Sequence, residues 1–580
     1  MARGNRGQDG PPTDWVTRAA DDAIRHAGGD ADALIASGRT VTVASGASPS
    51  GPVHLGNLRE FLTVHFVAEE LRSRGLQVRH LHSWDDYDRF RKVPAGVDES
   101  WNEHIGRPLS AVPDPWSCHD SWAEHFKEPL RAALAELGVE MDEISQTEMY
   151  GAGTYREQIL TAVRRRDDIE KVLSRYRTKA APPVAENEQE AAALADSVAA
   201  DDESDEAGAD DLARFPFKPY CRDCGRDTTT VTAYDDASTD LSYTCSVCSF
   251  AGVTNLATQN EGKLVWKVDW PMRWAFERVD FEPAGADHSS PGSSFTVGHE
   301  LVEQIWDYPR PSWLGYSFVG FAGMAKMSSS RGGVPTAAEA LEILEAPILR
   351  WLYVRRAPKQ SFNIDFGPEV VRLYDEWDAL GRKAADPAKR DAQVLAFERA
   401  SSTASAGRLP TPEVLVPFRV LSSVADVTAG SAELISRTVS HVGYAHSSVA
   451  ELEPRLGRAM TWTSEFVPAE DRTIVRSAPD LDRLGALSEE ESRWVTLLLE
   501  QLAVMPGELD VDPVTAVVYG VPKLALGLDV DADPTDQVKS DQKAFFKLLY
   551  NLLVGKDRGP RLPTLIVALG ADKVRSLLTR

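Results

Sequence analysis

The stretch from Val41 to Glu60, VTVASGASPSGPVHLGNLRE, constrains the fold more than any other part of the chain. Its three β-branched first residues predict a strand, and the small residues from Ala44 to Gly51 predict a tight turn with open backbone N–H groups. Apolar residues then recur at helical spacing, at Leu55, Leu58, Leu62 and Phe66. A strand, a small-residue turn and a helix N-terminus together can hold phosphate, and His54 and Asn57 lie at the helical end of this arrangement.

A second strand is predicted at 75–82, GLQVRHLH, after the helix. A strand–helix–strand unit of this length is parallel and right-handed, which predicts an α/β fold with a doubly wound parallel sheet. Ligands bind beyond the carboxyl ends of such strands, so the run containing Trp84, Asp85, Asp86 and Asp88 is expected near the pocket. The alternative interpretation is a solvated acidic turn.

Length and composition indicate a large globular protein. With 580 residues, 43% of them hydrophobic, the chain can form several domains with sizeable cores. No apolar run reaches the length of a membrane span, and the polar N-terminus, MARGNRGQDGPPTDW, does not resemble a signal peptide. Five cysteines, four of them in two close pairs, favour a reducing compartment, so we expect a cytoplasmic protein with no membrane partner.

The net charge of −25 is concentrated in one segment. Residues 181–211 contain 11 acidic residues and no Lys or Arg, which leaves −14 for the remainder. This segment is rich in Ala and lacks aromatic residues, so we expect a disordered insertion without a catalytic role. A nucleic-acid surface on this chain would have to be a local basic patch, such as the predicted basic helix from Tyr155 to Lys179, which could equally be a solvated face.

The paired cysteines have the spacing of a zinc ribbon. Cys221 and Cys224 are followed, after 20 residues, by Cys245 and Cys248. Four thiolates would complete a tetrahedral Zn²⁺ shell with no open position, so the site is expected to be structural. Two disulfides, or pairs that have lost their metal, are the alternatives. Cys118 stands alone and is expected to be a small core residue.

Other segments have simpler patterns. We expect a helix from Asp14 to Leu34, and a strand followed by a turn over Lys263 to Trp274. Beyond residue 337 helical periodicity dominates, including 337–356, 362–385, 432–442, 489–504, 536–553 and 561–578.

Two motifs connect this pattern to a known family. PSGPVHLGN resembles the His-x-Gly-His/Asn signature of class I aminoacyl-tRNA synthetases, and Lys326-Met327-Ser328-Ser329-Ser330 resembles their Lys-Met-Ser-Lys-Ser signature, with Ser329 in place of the second Lys. Their order and separation, about one catalytic domain apart, are more specific than either motif alone. HSWDDYDRFRKVP resembles the matching segment of the class I lysyl-tRNA synthetases.

The resemblance implies roles for individual residues. It implies catalytic roles for His54, Asn57 and Lys326. It implies ATP contacts from Ser50, Gly51, His54, Gly56, Asn57, Gly285, Asp287, Lys326, Met327, Ser328 and Ser329. It implies a lysine pocket containing Gly46, Ser48, Asp85, Trp266, His288 and Tyr316, although the aromatic residues could simply pack in the core. The carboxylate for the lysine ammonium stays open among Asp85, Asp86, Asp269 and Asp287.

The resemblance also implies the substrates and the order of the domains. The expected reaction joins L-lysine to tRNA(Lys) with ATP and Mg²⁺ through a lysyl-adenylate, with Zn²⁺ in a structural role and no DNA partner. The expected domains are a first catalytic half (1–120), a connecting insertion (121–262) with the acidic segment 181–211 and the ribbon 218–252, a second catalytic half (263–336), a helical connecting domain (337–412) and a helical anticodon-binding domain (413–580).

Three alternatives remain at this point. A glutamyl-type class I synthetase would require a basic pocket for an anionic substrate. A non-catalytic tRNA-binding paralogue is opposed by the intact His54, Asn57 and Lys326. A nucleotidyl transferase that uses no tRNA is opposed by the ribbon and by the large helical C-terminus.

Deletion of the acidic segment tests its expected lack of catalytic function. We predict that removal of residues 181–211 leaves amino-acid activation unchanged and leaves tRNA affinity unchanged or raises it. Any gain should fade as salt rises, because screening shortens the reach of the segment's charge, from about 30 Å at 0.01 M to about 10 Å at 0.1 M. Activation rates and tRNA binding across a salt series measure both effects. Loss of activation, or weaker tRNA binding at every salt concentration, would contradict this interpretation.

Overall fold

The computed structural model describes residues 13–94, 96–177, 211–285, 293–317, 319–322, 335–405, 407–428, 430–468, 470–505 and 509–580. Several sequence predictions lie outside these residues: nearly all of the acidic segment, Asp287, His288, and the motif containing Lys326, Met327, Ser328 and Ser329.

The strands in the described chain are β1 (Val41–Ala47), β2 (Val78–Trp84), β3 (Asp142–Ser145), β4 (Phe217–Lys218), β5 (Thr229–Tyr234), β6 (Asp240–Cys245), β7 (Ala251–Asn255), β8 (Lys263–Leu264), β9 (Val279–Gly285), β10 (Ser312–Tyr316), β11 (Val319–Ala322), β12 (Phe362–Asp365), β13 (Ser402–Thr403) and β14 (Gly407–Arg408).

The helices up to residue 341 are α1 (Trp15–Ala27), α2 (Ala31–Ser37), α3 (Leu55–Ser73), α4 (Trp122–Glu136), α5 (Gln146–Gly151), α6 (Arg156–Arg164), α7 (Arg166–Arg177), α8 (Trp266–Glu277), α9 (Ser294–Trp306) and α10 (Ala337–Leu341). The later helices are α11 (Ala346–Val354), α12 (Glu369–Ala384), α13 (Ala392–Ser401), α14 (Phe418–Thr428), α15 (Ala432–His441), α16 (Arg455–Phe466), α17 (Leu481–Gly485), α18 (Glu489–Ala503), α19 (Val511–Ala525), α20 (Asp536–Val554) and α21 (Leu562–Leu578).

A five-stranded parallel sheet forms the centre of the N-terminal region, in the order β10-β9-β1-β2-β3. Side chains alternate along β1, so Val41 and Val43 pack in one core with α1 and α3, whereas Ala44 packs in another with α8 and α9. Helices therefore cover both faces, which confirms the predicted doubly wound α/β architecture. The carboxyl ends of β1, β2, β9 and β10 meet at one edge.

Several of the predicted elements are wrong. The helix expected over 337–356 is two helices, α10 and α11. The helix expected over 14–34 is split, because Gly28 and Gly29 have positive φ angles of 152° and 90° that end α1 before α2 begins. The strand and turn expected over 263–274 are mostly helix α8. Its Trp266, Trp270 and Trp274 are spaced four residues apart and stack along one face, with ring centroids 5.0 and 5.4 Å apart.

The regions that follow are largely as predicted. β5, β6 and β7 form a three-stranded antiparallel sheet that includes Cys245 at the end of β6. Residues 362–365, expected to be helical, form the short strand β12, and Gly367-Pro368 precede the helix α12. Beyond residue 414 the described chain is helical, as predicted. None of the described helices is long and apolar enough to cross a membrane.

A buried ion network joins the start of α16 to the residue before α11 and to α12. Arg455, at the start of α16, donates to Glu345 Oε1 at 2.6 Å and to Asp378 Oδ2 at 2.9 Å, and all three side chains are buried. Glu345 precedes α11, and Asp378 lies in α12. Because desolvated charges need their partners, this network specifies how α16 docks.

We predict that Glu345→Ala lowers the free energy of unfolding by about 3–5 kcal/mol, because it removes one of the two carboxylates that pair with the buried Arg455 guanidinium and leaves only its pair with Asp378. Urea unfolding monitored by circular dichroism measures the change. The matched control is Glu369→Ala, which removes a similar pair from the surface: Glu369 and Arg372 lie 2.8 Å apart with side chains 52% and 70% exposed. Loss of this exposed pair should change the free energy of unfolding by less than about 1 kcal/mol. Equal effects of the two substitutions would contradict the assignment.

Candidate active site

The turn after β1 and the start of α3 form the phosphate-site geometry expected from the sequence. β1 ends at Ala47, and His54 is the N-cap of α3 with extended φ and ψ of −89° and 170°. Asn57 Oδ1 accepts a hydrogen bond from the His54 backbone N–H at 3.3 Å. The N-terminus of α3 therefore faces the carboxyl edge of the sheet.

Steric crowding explains why the motif has glycine at position 56. A Cβ atom at Gly56 would lie 2.7 Å from His54 Cε1 and 2.8 Å from its Nδ1, closer than van der Waals contact allows. Burial lowers the pKa of His54, so its imidazole is neutral at neutral pH and retains one N–H donor. Gly56 thus makes room for a hydrogen-bond donor that carries no charge.

The chain returns to this turn after the second motif. Leu55 N donates to Pro335 O at 2.8 Å, and His54 forms a β-bridge with Thr336. Pro335 is the first described residue after the segment that contains Lys326. Pro335 and Thr336 are therefore held beside the start of α3.

The acidic run after β2 is buried, which excludes the solvated-turn alternative for Asp85 and Asp86. Arg273, from α8, donates to Asp85 Oδ1 at 2.6 Å and to Asp269 Oδ2 at 2.5 Å, and its guanidinium lies 5.3 Å from the centre of the Trp266 ring. Burial raises the pKa of Asp85, and the positive charge of Arg273 opposes that rise. Sequence reasoning missed Arg273, although its i, i+4 spacing from Asp269 was a signal once α8 is recognised as a helix.

The neighbouring carboxylates are also paired. Asp86 accepts from Lys127 Nζ at 2.7 Å, from Ser145 Oγ at 2.6 Å and from the Thr147 N–H at 2.8 Å. Asp88 accepts from Lys263 Nζ at 2.5 Å. These contacts fix the ends of β2, β3 and β8 relative to one another.

Glu60 joins two of the residues predicted for the lysine pocket. Its Oε1 accepts from Gly46 N at 2.8 Å and its Oε2 from the Tyr316 hydroxyl at 2.9 Å. Gly46 belongs to β1, and Tyr316 is the last residue of β10. The sequence contained no motif for Glu60, because only the fold brings these two strands to the same side chain.

The described predicted residues converge on one edge of the sheet. Gly46 and Ser48 lie at the end of β1, Ser50 and Gly51 lie in the turn, and His54, Gly56 and Asn57 lie at the start of α3. Asp85 follows β2, Gly285 ends β9, and Trp266 begins α8 and stacks on Trp270. This edge is where ligands bind in doubly wound folds.

The four ribbon cysteines converge at a separate centre. Cys221 Sγ lies 3.5 Å from Cys248 Sγ, and Cys224 Sγ lies 3.7 Å from Cys245 Sγ. All four sulfur atoms lie within 4.8 Å of one another, and none forms a disulfide. The disulfide alternative is therefore wrong, and this set of donors fits a tetrahedral Zn²⁺ ion.

Comparison with known proteins identifies the family to which this chain belongs. Residues 13–404 match the family model described as tRNA synthetases class I (K). The chain is 52% identical to a lysine–tRNA ligase of Streptomyces coelicolor, covering 98% of each chain. It is 33% identical to that of Thermococcus kodakarensis, covering 97% of this chain and 98% of the relative, and 30% identical to that of Treponema pallidum, covering 93% and 94%. The chain therefore belongs to the class I lysyl-tRNA synthetase family.

Proposed function

We propose that this enzyme joins L-lysine to the 3′ end of tRNA(Lys) in two steps, first forming lysyl-adenylate and pyrophosphate from lysine and ATP. The observation that carries the proposal is the phosphate-binding turn with His54 and Asn57 at the ligand edge of the sheet, in a chain similar over almost its full length to proteins named lysine–tRNA ligase.

The first step is in-line attack by a lysine carboxylate oxygen on the α-phosphorus of ATP. It requires stabilisation of the charge spread over the phosphates more than covalent help from the protein. In our proposal the neutral His54 donates a hydrogen bond to a phosphate oxygen, and the N-terminus of α3 contributes its partial positive charge. Lys326 adds a full positive charge. The hydrogen bond from Leu55 N to Pro335 O, which follows the Lys326 motif, supports a position of Lys326 near the phosphates.

The other proposed ATP contacts surround the same turn. Ser50 and Gly51 offer backbone N–H groups to phosphate, Gly56 leaves space for His54, and Gly285 and Asp287 are assigned to the ribose. Met327, Ser328 and Ser329 accompany Lys326. Mg²⁺ is proposed to enter bound to the phosphates of ATP, where it neutralises charge, because Asp85, Asp86 and Asp269 are already ion-paired with protein cations.

Lysine is proposed to bind between the ends of β1 and β10. Gly46, Ser48, Trp266, Tyr316 and His288 form the proposed pocket, with Asp85 as the candidate for the ammonium group. Arg273 holds one oxygen of Asp85, so the substrate ammonium would compete with or extend an existing ion pair. Three carboxylates, Asp85, Asp88 and Asp269, share two cations, Arg273 and Lys263, and this excess of negative charge favours a cationic substrate over glutamate.

The remaining parts are assigned to tRNA and to stability. We assign Zn²⁺ to Cys221, Cys224, Cys245 and Cys248 as a structural ion. The helical region 413–580 is assigned to the anticodon and 337–412 to the connecting domain, and we propose a cytoplasmic location. The predicted basic helix is a weaker tRNA candidate, since its Arg166 and Arg175 are paired with Asp236 and Glu300 at 2.7 and 2.6 Å.

The test is ATP–pyrophosphate exchange with each of the twenty amino acids, with and without tRNA. Lysine alone should support exchange. Exchange with glutamate would identify the glutamyl-type alternative, and tRNA binding without any exchange would identify a non-catalytic paralogue.

We predict that His54→Ala lowers the rate of adenylate formation by about 10²–10³, the scale expected when one preorganised donor to a developing charge is lost. His54→Gln, which retains an N–H donor, should lose less. His446→Ala, in the loop between α15 and α16, serves as the histidine control. A folded His54→Ala enzyme with turnover near that of the wild type would contradict the role proposed for His54.

We predict that Glu60→Ala and Tyr316→Phe each raise the KM for lysine by about 10-fold, the effect of losing a hydrogen bond to a charged group. The KM for ATP should change less. Because the two side chains share one hydrogen bond, the double variant should be less impaired than the product of the two effects. Glu69→Ala, at the far end of α3, is the control. Multiplicative losses in the double variant would show that the residues act separately.

A further inference from the structure

Two tryptophans of α8 share one buried carboxylate, that of Glu282 in β9. Glu282 Oε1 accepts a hydrogen bond from the Trp270 indole N–H at 2.9 Å, and its Oε2 accepts one from the Trp274 indole N–H at 2.6 Å. Glu282 is 5% exposed, and every residue of β9 is buried. One side chain of the sheet therefore sets the orientation of two rings that lie about one turn apart on α8.

The stacked rings lead from Glu282 to the proposed lysine pocket. Trp266 lies one turn before Trp270, and their rings stack with an angle of 24° between the ring planes. The guanidinium of Arg273 lies 5.3 Å from the centre of the Trp266 ring and donates to Asp85, the candidate for the lysine ammonium. The outer end of the stack therefore lies beside the carboxylate that the substrate would meet.

Packing restricts the inner rings but does not select which edge of each ring faces the sheet. Phe295, from α9, packs edge-on against Trp270 and Trp274, at centroid distances of 5.4 and 5.2 Å. A Cβ atom at Gly298 would lie 3.0 Å from Cζ3 of Trp274, so α9 leaves little space beside that ring. An indole turned by 180° fills nearly the same volume, whereas only one orientation directs its N–H to Glu282. The carboxylate therefore selects the orientation that the apolar contacts leave open.

The burial of Glu282 lowers the stability of the fold. Burial raises the pKa of Glu282 from its ordinary value of 4.5 to about 7, and the two indole donors oppose the rise. Because the folded-state pKa is the higher one, stability is lost as the pH rises from about 4.5 to 7, and the loss is complete above about 7. A carboxylate retained at such a cost is more typical of a functional site than of an apolar core.

We propose that Glu282 is a positioning residue for lysine binding: it orients Trp270 and Trp274, and through them it holds the Trp266 ring at the lysine pocket. This role rests on the proposed function, in which Trp266 lines that pocket. Glu282 acts through the tryptophans and not on the reacting atoms. Its loss should therefore weaken lysine binding and leave the chemical step nearly unchanged.

The substitution Glu282→Gln tests this role with almost no change of volume. The amide has one acceptor oxygen for two indole donors, so its NH₂ group must face one indole N–H and displace that ring. We expect the KM for lysine to rise about 10-fold, the effect of losing a hydrogen bond to a charged group, with kcat and the KM for ATP changed less than about 3-fold. Calorimetric titration with lysine in the absence of ATP should show the same loss of affinity.

The matched control is Asp280→Asn, the same change from carboxylate to amide near the other end of β9. Asp280 is fully buried and accepts from Thr42 N at 3.0 Å and from Arg39 Nη2 at 2.6 Å. Its substitution should destabilise the protein and leave the KM for lysine unchanged. Equal KM values for lysine in the wild type and in Glu282→Gln, or an equal rise in both amide variants, would overturn the proposal.

A double variant covers the case in which Glu282→Gln does not fold. Trp274→Phe removes one of the two indole donors, so the single amide oxygen in Glu282→Gln/Trp274→Phe can accept from Trp270. We expect the double variant to bind lysine as tightly as Trp274→Phe and more tightly than Glu282→Gln. A further loss of about 10-fold when Glu282→Gln is added to Trp274→Phe would show that the indole hydrogen bonds are not the cause, and would overturn the proposal.

Failure of the proposed function gives a different result. A wild-type protein that neither binds lysine nor supports lysine-dependent exchange would overturn the proposed function and the role of Glu282 together. An active wild type with an unaltered Glu282→Gln variant would overturn only the role of Glu282.

Discussion

A single buried guanidinium connects the parts of the catalytic region. Arg273 joins Asp85 and Ser83, from the first half of the sheet, to Asp269 in α8. Asp269 in turn accepts from the Tyr150 hydroxyl at 2.5 Å, which brings in the connecting region. A buried cation without partners destabilises the folded state, so the folded position of each of these groups depends on the others. The arrangement places the end of β2 and the start of α8 on either side of the proposed lysine pocket.

Ion pairs between acidic and basic side chains recur in other parts of the protein. The chain is strongly acidic, yet the buried carboxylates of the site are matched by cations: Arg273, Lys127 and Lys263. Arg165, between α6 and α7, and Arg166 and Arg175 of α7 are likewise paired with acidic residues. These ion pairs neutralise part of the positive charge that a basic surface would otherwise use. Recognition of a polyanion by such a chain depends on short local patches and should be sensitive to salt.

Local signals in the sequence were sufficient for part of this structure. The strand, turn and helix around His54, the positions of Asp85 and Asp86, and the cysteine cluster follow from spacing and residue type, because each is determined within a few residues. The predictions failed where tertiary packing overrides local pattern. The run from Lys263 to Trp274 alternates like a strand but forms α8, because its tryptophans pack on the sheet. Glu60 and Arg273 carried no motif, since their partners lie far away in sequence. Cys118, expected to be a small core residue, is exposed.

The extent of the hydrophobic core has a consequence for how such chains can be recombined. One continuous core includes Trp15 of α1, Val43 of β1 and Trp462 of α16, and a separate core begins at Leu484. The ion network of Arg455 belongs to the first of these cores. A crossover between two related genes near residue 412 would therefore join halves of one core that had never been selected together. A crossover between Trp462 and Leu484 would exchange the last helices as a unit, and this is where we expect shuffling within the family to be tolerated.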